Sequence, residues 1–85
     1  MKKILLVEDD KALQKLIVYN FQKEGFSIET VSDGEEALYF IKENYPDLIL
    51  LDWMLPNMSG IEIARQLKLN KKSMSIPIIM LTAKS

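Results

Sequence analysis

Acidic residues close two apolar runs, and their types and spacing point to chemistry. Ile4-Leu5-Leu6-Val7 ends in Glu8-Asp9-Asp10, and Leu48-Ile49-Leu50-Leu51 ends in Asp52. If the two runs lie side by side, Glu8, Asp9 and Asp52 meet at one edge. Grouped carboxylates repel one another unless something positive joins them. A hard, oxygen-preferring cation such as Mg²⁺ is the natural partner for such a group.

The elements that must position these acids alternate along the chain. Apolar runs of this length, bounded by polar residues, are strands buried on both faces of a parallel sheet. In open sheets of that kind, ligands bind in the crevice at the carboxyl ends of the strands. Asp10 is placed to cap a helix running to about Glu24, with Gly25 as its stop. Leu13, Leu16, Ile17, Asn20 and Phe21 supply that helix with a buried stripe. Ser27 to Val31 alternates as a half-exposed edge strand does. Ser32 with Glu35, and Asp33 with Glu36, offer overlapping capping boxes for a second helix. That helix turns Ala37, Leu38 and Ile41 inward and ends at Tyr45-Pro46. Pro56 shapes the loop after Asp52. Ser59 and Glu62 cap a third helix whose inner face is Ile61, Ala64 and Leu67. A polar loop containing Lys71-Lys72 leads to a fourth strand over Pro77 to Leu81. The order β-α-β-α-β-α-β implies a parallel sheet with right-handed crossovers and helices on both faces. A strand order of 2-1-3-4 makes strands 1 and 3 neighbours, as the acidic group requires.

The composition narrows the field. Eighty-five residues, 48% hydrophobic and 27% charged, make one small globular domain. A net charge of -1 gives no electrostatic footprint for nucleic acid. The chain has neither cysteine nor histidine, which removes disulfides, thiolate nucleophiles, histidine bases and the usual zinc sites. No apolar stretch approaches the roughly 20 residues of a membrane span. The run after Lys2-Lys3 is too short for a signal peptide, so a cytoplasmic protein is expected.

Taken together, the motifs resemble the receiver domain of bacterial two-component response regulators. They are Val7-Glu8-Asp9-Asp10, Asp33-Gly34, Pro46-Asp47 through Asp52, Met54-Leu55-Pro56, Ser59-Gly60, and Ile76 through Ala83. The wording around Asp52 looks most like the branch whose members carry a winged-helix DNA-binding domain. The resemblance implies a flavodoxin-like, CheY-like α/β fold and phosphoryl transfer from a sensor histidine kinase to one aspartate. By position that aspartate is Asp52. Glu8 and Asp9 match the pair that holds Mg²⁺ with Asp52, and the main-chain carbonyl of Met54 matches a further ligand. Thr82 matches the hydroxyl that hydrogen-bonds the phosphoryl group, and Ala83 is small enough to leave access. The chemistry is reasonable for these residues, since a carboxylate attacks a phosphoryl donor only when the donor's charge is neutralised and its approach oriented.

The pattern also departs from the family. Its fourth helix, fifth strand and fifth helix, with an invariant lysine and a switching aromatic, have no counterpart in residues 1–85. Lys84 shares strand parity with Thr82 and would lean toward the site were the strand to continue. Two functions are expected from different classes. One is a phosphoacceptor module, not a turnover enzyme, that uses Mg²⁺ and binds neither DNA nor membrane. The other is a non-switching remnant that self-associates through an exposed fourth-strand edge.

Overall fold

A computed structural model describes residues 2–81. Its centre is the pair β1 (Lys3–Val7) and β3 (Leu48–Asp52), flanked by β2 (Ser27–Val31) and β4 (Ile78–Leu81). All four strands are parallel, in the order β2-β1-β3-β4. Ile4 stands beside Leu48 and Val7 beside Leu51, so the residues that follow both strands emerge at the same edge.

Each central strand feeds two cores, because successive side chains point to opposite faces. Leu5, Val7, Ile49 and Leu51 join Ala37 and Ile41 of α2 (Gly34–Asn44) and Ile63 and Leu67 of α3 (Gly60–Leu69). Ile4, Leu6 and Leu50 pack on the other side with Ile17, Val18 and Phe21 of α1 (Lys11–Lys23). Burial of each such side chain is worth about 1.5–3 kcal/mol, which makes these apolar runs the anchor of the sheet. Two helices therefore cover one face and one covers the other. β2 is an edge strand, as its alternation implies.

Helix starts follow the side chains that cap them. The Asp10 carboxylate accepts from the amides of Ala12 and Leu13 at 3.0 and 3.2 Å. Asp33 accepts from the Glu36 amide at 2.9 Å, and Ser59 Oγ from the Glu62 amide at 3.2 Å. The return bonds differ from those expected. The Glu36 carboxylate reaches Ser32 N, so a single box spans Ser32 to Glu36 in place of two overlapping ones. Glu62 turns to Arg65 and Gln66 instead of back to Ser59. Gly25, at φ +93°, ends α1 in a conformation costly for any other residue.

Two inner faces are rotated from their expected positions. On α1 the inward residues are Gln14, Ile17, Val18 and Phe21, while Leu16 is 59% exposed. Both stripes have helical spacing and share Ile17 and Phe21. A hydrogen bond from the Gln14 side chain to a buried carbonyl selects the one that contains Gln14. On α3 Ala64 and Leu67 face the core as expected, but they do so with Gly60 and Ile63, and Ile61 is 56% exposed. The close seat of Gly60 against β3 sets that rotation. Ile63→Ala should therefore cost about 2–5 kcal/mol in urea unfolding. Ile61→Ala should stay within about 0.5 kcal/mol of the parent.

Candidate functional site

The acids expected at the strand ends do converge. One carboxylate oxygen from each of Glu8, Asp9 and Asp52 lies within 4.8 Å of the others. Glu8 follows β1 directly and its amide still donates to Val31 O at 3.1 Å, which ties it to the sheet. Asp52 is the last residue of β3 and pairs in register with Leu81. Glu8 is only 3% exposed, Asp9 is open to solvent, and Asp52 lies between these extremes.

The electrostatics are those of a site that lacks a positive charge. Burial pushes the Glu8 carboxyl above its ordinary value of 4.5, against the Asp10 amide, which donates to it at 3.0 Å. The charges of Asp52, Asp9 and Asp10 push it further the same way. Among the described residues the one ion pair joins Arg65 to Glu62 on the exposed side of α3, so no basic side chain there is paired with the three acids. Three clustered oxygens in this state fit a hard divalent cation. Grooves of about 340 Å³ open elsewhere on the molecule, and neither is lined by any of the three acids.

The loop from β3 to α3 holds Asp52 from below. The Met54 amide approaches Asp52 Oδ1 at 3.4 Å, which brings the Met54 main chain beside the acceptor candidate. The Gly60 amide donates to Trp53 O at 2.9 Å, drawing the start of α3 onto the strand end. A Cβ at Gly60 would collide with the Asp52 carbonyl oxygen and sit 3.1 Å from both Asp52 C and Trp53 Cα. Thr82, Ala83 and Lys84 lie outside the described residues.

The description "Response regulator receiver domain" matches residues 4–85. The chain belongs to this family. Its sequence is 48% identical over 84 residues to the phosphate regulon transcriptional regulatory protein PhoB of Rhizobium meliloti, covering 99% of the receiver chain and 37% of that protein. It is also 48% identical over 83 residues to the alkaline phosphatase synthesis transcriptional regulatory protein PhoP of Bacillus subtilis, covering 98% of the chain and 34% of that protein. The chain thus spans about a third of the length of these curated relatives. Among solved structures, the chemotaxis response regulator CheY4 of Vibrio cholerae superposes with a TM-score of 0.95 at 30% identity, over 100% of this chain and 71% of that one. The receiver domain of a Pseudomonas aeruginosa sensor histidine kinase, with a magnesium ion coordinated in its active-site cleft, gives 0.93 at 32% identity, over 98% and 68%.

Two residues that shape this receiver's site escaped the reading of the sequence as site residues. Gly60 was a motif glycine whose tight seat only the fold explains. Gln14 was a polar residue on a helix with an alternative apolar stripe, and its spacing to Ile17 and Phe21 was the available signal.

Gly60→Ala provides a test of the seat. In an ordinary helix this change gains roughly 0.5–1 kcal/mol. Here the collision should reverse the sign and cost about 1–3 kcal/mol in urea unfolding. The Glu8 carboxyl sets a pH dependence. Because its folded pKa is raised, the native state holds a proton that the unfolded chain has lost. Stability of the metal-free receiver should therefore fall as pH rises from about 4.5, the ordinary value, through the higher folded value. Thermal melts across that window, compared with Glu8→Gln, should show the decline in the parent and its absence in the variant.

Proposed function

We propose that this chain is a phosphoacceptor module that takes a phosphoryl group from a sensor histidine kinase onto Asp52. The carrying observation is the convergence of Glu8, Asp9 and Asp52 within 4.8 Å at the strand ends of a receiver fold. Receiver domains of response regulators are phosphorylated by histidine kinases, and the family match supports the same role for this chain. Glu8, Asp9, Asp52 and the Met54 main-chain carbonyl would hold Mg²⁺. When bound, the cation offsets the charge that otherwise keeps a carboxylate and a phosphoryl donor apart.

The chain's own residues supply position. β3 and the Met54 amide hold Asp52 at the sheet edge, so an Oδ atom can attack phosphorus as the donor's bond to it breaks. Glu8 is shielded by the sheet while Asp9 faces water, which leaves the cation site open on the donor's side. Thr82 would donate its hydroxyl to the transferred oxygens. The module accepts one group per cycle and is not a turnover enzyme. It would work in the cytoplasm without contacting DNA itself, and no described helix is long and apolar enough to cross a membrane.

A second reading is a self-associating module that no longer switches. It is favoured by Ile79, 50% exposed on β4, the outer strand of the described sheet. Intact mass after exposure to a small acyl-phosphate donor separates the two. The parent should gain one phosphoryl group with Mg²⁺ and none with a chelator. Asp52→Asn should gain none while keeping its fold. A folded parent that gains nothing would favour the second reading, and a modified Asp52→Asn would sink the acceptor assignment.

A further inference from the structure

We propose that Gln14 is a positioning residue for the acidic site, acting through the Glu8–Asp9 peptide. The inference rests on the reading of Glu8, Asp9 and Asp52 as the cation site. Gln14 is only 7% exposed, and its side-chain amide donates to the carbonyl oxygen of Glu8. A buried glutamine on a helix face that otherwise presents Ile17, Val18 and Phe21 is costly unless its amide is used. Here the amide is used on the peptide that joins two of the three acids.

That peptide is the lever. It is planar, so holding its carbonyl restrains ψ at Glu8 and φ at Asp9, the two dihedrals that set how the Cα centres carrying the two carboxylates are turned relative to one another. On one side Glu8 is fixed to the sheet by its amide bond to Val31 O. On the other side the Glu8 carboxylate accepts from the Asp10 amide at 3.0 Å. The Glu8 carbonyl is the remaining handle, and Gln14 holds it from α1. Gln14 is itself anchored, since its main-chain amide donates to Asp10 O at 2.9 Å in the first turn. The start of α1 therefore clamps the Glu8–Asp9–Asp10 segment at two points, and the side-chain bond is the one that orients the acids.

Outer partners of metal ligands commonly change metal affinity by about 10- to 100-fold when removed. Gln14→Met keeps the length of the side chain and deletes the donor. Mg²⁺ titrations can be followed by fluorescence of Trp53, the one tryptophan, which neighbours Asp52. Gln14→Met should bind Mg²⁺ about tenfold more weakly than the parent. Ile17→Val, which loosens the same helix without touching Glu8, should lower the melting temperature and leave Mg²⁺ affinity unchanged. Equal affinity in Gln14→Met and the parent would overturn the proposal, as would an equal loss in Ile17→Val. Should Gln14→Met fail to fold, hydrogen exchange in the parent decides. Slow exchange of the Gln14 side-chain amide relative to that of exposed Gln22 supports the bond, and equal rates overturn it. A parent that binds no Mg²⁺ would instead bring down the cation-site reading, and this inference with it.

Discussion

β1 and β3 lie side by side with apolar side chains on both faces, and neither can move alone. A slip of one residue would shift Asp52 by about 3.3 Å along the strand and exchange the side chains between two cores. Leu5, Val7, Ile49 and Leu51 would leave the space under α2 and α3, and Ile4, Leu6 and Leu50 would leave that under α1. The hydrophobic effect thus sets the register. Register in turn sets the separation of Glu8 and Asp52, although no carboxylate takes part in the core.

That arrangement concentrates negative charge where the fold has no counter-charge among the described residues. Apolar burial of the strands offsets the repulsion, and the Glu8 carboxyl is raised first by its own burial and then by the neighbouring acids. A group held against its electrostatic preference is a binding site in waiting, because a cation would relieve the repulsion and bind the acids at once. The same logic explains why α1 begins immediately after the acids. Asp10 is spent on the helix amides, and this leaves Glu8 and Asp9 free of capping duty.

Close contacts carry the remaining precision. Gly60 lets α3 start against the backbone of Asp52 and Trp53, while Gln14 ties α1 to the Glu8 carbonyl. One contact comes from each layer of helices, so the acidic edge is held from both faces of the sheet. Similar structures share the layered scaffold at about a third identity or less, which places the burden of site geometry on such local contacts and on the strand ends.

Sequence alone determined the alternation of strands and helices, the order 2-1-3-4 and the meeting of Glu8, Asp9 and Asp52. The alternation follows from uninterrupted apolar runs and capping residues, which are local signals, whereas the order rests on the acidic group at the strand ends and on the family resemblance. The tertiary structure decided which way α1 and α3 face. Leu13 and Leu16 carry as good a helical period as Gln14 and Val18, and Ile61 is as apolar as Ile63. Periodicity could not choose between such stripes. The choice was made by a buried carbonyl that needed a donor and by a strand end that left no room for a Cβ, and both are properties of neighbours distant from these helices' own apolar pattern.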